Sequence, residues 1–274
     1  HSFPTRRSSD LKGTNYLVDV VYSPVTNPPA TTSTSTSKPT STSTTTVKPT
    51  TTSTTTVKPT TTSTSSPTAT ATPSATTTAT KPPTQTGWPD ASNTGVPAGT
   101  TLAPYTGPCT ITTANTVIDA KQVNCELLVK ASGVKITRSR LNGRVTSDSP
   151  GSVSISDTYI DGGPQEIHPA VGYQNVSLLR ANIVGGEHSV QCDLNCTIKD
   201  SYLHDQTQPA TDRHVNAFIS NGGSNFTLTH NTMVCTVHNT PQGGGCTAHA
   251  SLFGDFGPIS NATFDGNLFK SGSK

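Results

Sequence analysis

G-V-K-I-T-R-S-R-L-N-G, Gly133 to Gly143, is followed closely by S-V-S-I-S-D-T-Y-I-D-G, Ser152 to Gly162. In each, two apolar side chains alternate with polar ones, a short polar turn follows, and another apolar position and a glycine close the unit. Counted from the first apolar or small residue, offset +2 is apolar, +5 small or polar, +7 apolar and +9 often Gly. Seven frames fit: Thr116/Ile118/Lys121/Val123, Val134/Ile136/Ser139/Leu141, Val153/Ile155/Thr158/Ile160, Val176/Leu178/Ala181/Ile183, Cys196/Ile198/Ser201/Leu203, Phe226/Leu228/Asn231/Met233 and Ala262/Phe264/Asn267/Phe269. Their starts differ by 18, 19, 23, 20, 30 and 36 residues. Alternation is the period of a strand, so each frame predicts two short strands around a turn. A third run, such as Ala170 to Tyr173, Ser189 to Cys192, Ala217 to Ile219 or Ser251 to Phe253, completes the unit. No such unit buries its apolar face alone, and stacking identical units at about 4.8 Å does.

Outward from this region the composition changes. Of the 50 residues from Thr31 to Thr80, 36 are Ser or Thr and none is aromatic. A ten-residue repeat there sets Pro39, Pro49 and Pro59 at equal intervals. Such a stretch has too little apolar surface for a core and is expected to be a disordered, extended tether, residues 27–87. Residues 1–11, H-S-F-P-T-R-R-S-S-D-L, resemble a translated sequencing adaptor and are set aside. In residues 12–26, T-N-Y-L-V-D-V-V-Y-S-P alternates like a strand and stops at Pro24. It resembles the last strand of a secreted bacterial β-sandwich domain. With no sheet to join, it is expected to be disordered or loosely docked. The folded domain is thus 88–274, with Trp88 to Cys125 as its N-terminal cap. It is expected to continue past Lys274, which falls in mid-coil.

From Trp88 on there are 11 Lys+Arg against 14 Asp+Glu, a net of −3, which excludes a basic nucleic-acid-binding domain as the default. No run of eighteen apolar residues is present, so no membrane span is expected. The six cysteines fall into sequence neighbours, Cys109 with Cys125, Cys192 with Cys196 and Cys235 with Cys246. Three local disulfides and an oxidising, extracellular or cell-surface location are the reading. A metal site is the alternative, and C-D-L-N-C lacks the usual zinc-knuckle spacing.

Three strands per turn at about 20 residues resemble the right-handed parallel β-helix of the pectate-lyase-like superfamily. The fold expected is therefore all-β, about seven coils, truncated. The same resemblance implies polysaccharide as the partner and a monomer, and it admits Ca²⁺ without requiring any cofactor. It does not fix a function, because this architecture serves lyases, hydrolases, epimerases and non-catalytic proteins.

The residues narrow the choice. The sequons at Asn175, Asn195, Asn225 and Asn261 all fall at offset −1, where Asn suits a tight left-handed entry better than a glycan. Offset +4 reads Arg138, Asp157, Arg180, Asp200 and His230, an alternating ladder expected to be structural. The two long coils carry insertions, Asp205 to His214 and Cys235 to Cys246, that would wall a groove. Glu166, His168, Glu187 and His188 line the same edge, and the expected register stacks His188, Asn216 and His249. For a lyase or epimerase, His214 or His204 accepts the proton, Arg213 pairs with a uronate carboxylate, and His188 or His249 orients hydroxyls. Asp205 and Asp212 are the best carboxylate pair, but no D-D or G-H-G pattern of a pectin hydrolase accompanies them. A non-catalytic glycan-binding, spacer or adhesion protein is the alternative, with Tyr159 and Tyr202 two coils apart as a stacking platform.

Overall fold

The computed structural model describes residues 16–22, 87–164, 167–208, 212–238 and 240–271. The expected adaptor at 1–11 and all but Gly87 of the expected tether at 27–87 lie outside these residues. Strands and turns make up the described residues, and no helix occurs among them.

The strands form parallel ladders, one rung per repeat. The first ladder climbs from Val117–Asp119 through Val134–Thr137, Val153–Ser156, the second half of Pro169–Leu179, Leu194–Lys199 and Gly223–Thr229 to Ile259–Ser271. The second runs from Lys121–Val123 through Arg140–Asn142, Tyr159–Asp161, Asn182–Val184 and Tyr202–Leu203 to Thr232–Cys235. The third includes Leu127–Val129, Val145–Ser147, the first half of Pro169–Leu179, His188–Gln191, His214–Ser220 and Gly245–Leu252. Because each strand bonds to the rungs before and after it, the architecture is that of a parallel β-helix.

The frames predicted this register residue by residue. Ile118, Ile136, Ile155, Leu178, Ile198, Leu228 and Phe264 form one buried column, and Val123, Leu141, Ile160, Ile183, Leu203 and Met233 another, which the half-buried Phe269 continues. Between them, offset +5 is small or polar because the backbone there turns inward and needs acceptors. Asn267 Oδ1 accepts the Asn231 amide at 3.0 Å, and Asn231 Oδ1 accepts the Ser201 amide at 3.0 Å. Each amide donor of these Asn side chains bonds a core-lining carbonyl, of Leu228 and Ile198 respectively. Buried polar groups that are fully paired in this way stabilise the turn rather than cost it.

The turn positions behave as expected. Asn175, Asn195, Asn225 and Asn261 have φ of 54°, 55°, 66° and 51°; the side-chain amides of the last three each donate to the Oδ1 of the Asn below at 2.8–3.0 Å, and that of Asn175 donates to the Gly151 carbonyl at 3.0 Å. Residues at offset +4 also have positive φ, and their side chains pair: Arg180 with Asp157 at 2.6 Å and His230 with Asp200 at 2.7 Å. Arg138 takes Asp119 as its partner rather than Asp157. The three expected disulfides are present, Cys109–Cys125, Cys192–Cys196 and Cys235–Cys246.

Two expectations are corrected. The strand Tyr16–Tyr22 has a partner: it pairs antiparallel with Ile259–Ser271, whose far edge offers unpaired backbone groups. The segment expected to cap the N-terminus divides. Ala103–Pro104 begins the rungs by pairing with Lys121–Val123, whereas Trp88 to Gly95 lies along later turns. Trp88 stacks on His230 with centroids 5.0 Å apart, and the Gly95 amide bonds the Arg180 carbonyl at 2.9 Å.

Candidate functional site

Phe218 points inward against Phe226 and Phe264, while Asn216 and Ile219 face out and line an open cleft of about 660 Å³. Glu187, His188, Asp212, Arg213 and His214 share this cleft with Thr247, Phe253 and Asp255. Of the two insertions predicted to wall a groove, Asp205 to His214 supplies Asp212, Arg213 and His214, whereas no residue of Cys235 to Cys246 lines the cleft; Thr247, the next residue along, does.

At its floor Glu187 and His188 are 8% and 6% exposed, with Oε2 of the first 3.6 Å from Nε2 of the second. Asn216 Nδ2 approaches His188 Nδ1 at 3.4 Å, while Ser251 Oγ donates to Asn216 Oδ1 at 2.6 Å. The Ser251 bond turns the amide nitrogen toward the ring, so Nδ1 accepts and the ring proton sits on Nε2, toward Glu187. Burial lowers His188 to about 4, keeping it neutral at physiological pH. Burial is also the largest influence on Glu187: it raises the carboxyl to about 7 against the pull of Arg213's charge, which is only partly offset by repulsion from Asp212. A carboxyl that still carries its proton near neutrality is a general acid in waiting.

The wall is equally defined. The Arg213 carbonyl accepts bonds from Gln208 Nε2 at 2.9 Å and the Gly245 amide at 2.8 Å. Its side-chain Nε is buried and has no partner. His214 Nδ1 lies 3.0 Å from Thr247 Oγ1. Thr247 is the extra residue of a bulge, since Val215 pairs with Cys246 and Asn216 with Ala248.

That bulge corrects the expected stack of His188, Asn216 and His249. His188 pairs with Asn216, but the next rung presents Ala248. His249 is turned to the opposite face, where its Nε2 lies 2.9 Å from the Lys270 carbonyl and its ring 6.1 Å from Phe269. A slip of one residue inverts a side chain. His204 and Asp205 are absent from the cleft lining. His204 bonds Asp205 Oδ2 at 2.8 Å and Asn182 Oδ1 at 2.9 Å, which engages both ring nitrogens on the second ladder's outer face. The carboxylate that Asp212 faces in the cleft is Glu187, not Asp205. Tyr159 and Tyr202 are two rungs apart with Asn182 between, as expected. Their faces are occupied, by the Arg140 guanidinium at 4.1 Å and the His204 ring at 3.8 Å. Glu166 lies outside the described residues.

Asp255 and Phe256 escaped sequence reasoning, which reads Phe253 only as the end of a strand. The run F-G-D-F-G-P, Phe253 to Pro258, is a third insertion, placed between the last strand of one coil and the first of the next. Two aromatics among glycines and a proline are the signal that marks it.

Ca²⁺ takes about six to eight oxygen ligands. Among the described residues no three His, Cys, Asp or Glu side chains converge as a metal site, and the cleft already holds a cation in Arg213. The residues present do not fit Ca²⁺, and no chemistry is assigned to it. No helix of the described residues is long and apolar enough to cross a membrane. Three disulfides point to an oxidising environment. Together these features define an all-β parallel-coil protein with a cleft lined by ionisable side chains on its third face. Compared with known proteins, the chain matches no family model, no curated protein and no solved structure.

Proposed function

We propose that the chain is a secreted right-handed β-helix protein of the pectate-lyase-like kind, with about seven coils, that cleaves an acidic polysaccharide by β-elimination. The observation that carries this reading is the convergence of Arg213, His214 and the raised carboxyl of Glu187 on one cleft. Arg213 pairs with the uronate carboxylate, withdrawing charge from the adjacent carbon. With Nδ1–H donating to Thr247, His214 Nε2 takes the proton from that carbon. The electron pair forms the ring double bond as the bond to the glycosidic oxygen breaks. Glu187 gives its proton to that oxygen, and neutral His188 holds the acid in place. The products are an unsaturated uronate and a new hydroxyl end, and water carries the proton taken up by His214 back to Glu187, which restores both groups.

Asp212 supports one second reading. It shares the cleft with Glu187, so the two carboxyl groups stand together as the acid and base of a hydrolase would. Incubating the full chain with a panel of uronate-containing and neutral glycans distinguishes the readings. Elimination gives the ultraviolet absorbance of a conjugated uronate, and His214→Ala should reduce it by about 10²-fold or more. New reducing ends without that chromophore would replace elimination with hydrolysis by Glu187 and Asp212. Binding without cleavage would leave a glycan-binding or spacer protein. Elimination also needs protonated Glu187, so the rate should fall as pH rises through about 7, and Glu187→Gln should abolish that limb.

A further inference from the structure

A second cavity, of about 490 Å³, lies on the same face and shares Asn221 with the cleft. Asp148, Tyr173, Gln191, Asp193 and Phe256 line it, and no Lys, Arg or His does. Its charge is opposite to that of the cleft wall built from Arg213. The Phe256 ring is 86% exposed, a costly arrangement for so large an apolar group. Its loop is nevertheless fixed. The Phe256 amide bonds the Asn221 carbonyl and the Phe253 amide the Ser220 carbonyl, both at 2.8 Å. Gly222 meets the Gly257 backbone so closely that an added Cβ would fall 3.0 Å from it. A ring carried on a backbone already bonded in place needs no ordering of its loop when something stacks on it.

The polar lining is held as firmly. The Tyr173 hydroxyl lies 3.3 Å from His168 Nδ1. Gln191 Nε2 donates to Asp193 Oδ1 at 3.4 Å. Burial raises the carboxyl of Asp193. A neutral sugar suits these groups: the C–H face of its ring stacks on Phe256 and its hydroxyls donate to Asp148 and Asp193. A uronate would set its carboxylate against two more with no cation among the lining groups.

We infer that this cavity receives the neutral sugar next to the uronate held at Arg213, so that the ligand is a heteropolysaccharide in which acidic and neutral units alternate. The inference rests on the reading of the cleft as an acidic-glycan site.

Titration calorimetry of the full chain tests it with three probes of equal length. Oligogalacturonate carries only acidic units, a hyaluronan oligosaccharide alternates glucuronate with N-acetylglucosamine, and a pectin-backbone oligosaccharide alternates galacturonate with rhamnose. At least one alternating probe should bind about tenfold or more tighter than oligogalacturonate. Phe256→Ala, at an exposed position with little bearing on folding, should remove about three- to tenfold of that preference. Asp193→Lys should narrow it further by favouring oligogalacturonate, and Arg213→Ala should weaken every probe. If oligogalacturonate binds as tightly as both alternating probes, or if Phe256→Ala changes no ratio, the inference falls while the cleft reading stands. If no probe binds, both fall.

Discussion

Glu187 and His188 touch, yet burial moves them in opposite directions along the pH scale, and the fold feels both. Glu187 binds its proton more tightly folded than unfolded, so its contribution to stability is complete below about pH 4.5 and lost as pH rises through about 7. His188 binds its proton less tightly folded, so its contribution is complete above about 6.5 and lost as pH falls through about 4. Between those limits the unfolded chain takes up a proton at the imidazole while the folded one retains a proton at the carboxyl. The two slopes nearly cancel in the wild type. Each single variant should expose the other slope. Glu187→Gln should lose on the order of 2 kcal/mol between pH 6.5 and 4, and His188→Asn a similar amount between 4.5 and 7. Urea titrations at a series of pH values measure both. Parallel pH profiles for the two variants would mean that the groups do not share one buried site.

Elements explain why much of the fold was legible and part of the site was not. Ile136, Ile155 and Leu178 repeat because a column of buried side chains must recur once per coil, and a period of that kind survives in sequence whatever the loops do. The Asn at offset −1 is equally legible, since few residues accept positive φ. Asn225 tests this: Asn225→Gly keeps the backbone and loses only ladder bonds, about 1 kcal/mol or less. Asn225→Val adds left-handed strain and should cost about 2 to 3 kcal/mol in urea denaturation. Equal losses would contradict the turn argument. The bulge at Thr247 was not legible, because one extra residue in a loop-rich coil leaves no periodic trace. It inverted His249 and brought Thr247 to His214. Disulfide Cys235–Cys246 closes the insertion beside that bulge, so replacing both cysteines by Ser should cost up to about 3 kcal/mol of stability. It should also raise amide exchange at Gly245 to Ala248 before it does so in the core columns. The Phe253 to Pro258 loop was missed for a related reason: both longer insertions sit between the second and third strands, and the third one follows the third strand.

At the scale of the molecule, a stack of coils is close to one-dimensional, since each rung touches only those beside it and stability sums over neighbours. The segment from Trp88 to Gly95 departs from that rule. Trp88 rests on His230, and the Gly95 amide is bonded to Arg180, although the Asp200 turn lies between those two in the stack. Ties that skip a rung make separate rungs open together. Gly95 is required at its end of the tie, because φ is +82° and an added Cβ would sit 3.1 Å from Asn182 Cβ. Gly95→Ala should therefore cost about 1 to 2 kcal/mol through left-handed strain. In native-state hydrogen exchange, Trp88→Ala and Gly95→Ala should both reduce protection of amides around Arg180, Tyr202 and Thr232 together. Those of Ile136 and Ile155, away from the tie, should keep theirs. If each variant disturbs only the rung it touches, the segment is a passive covering and the stack unfolds rung by rung.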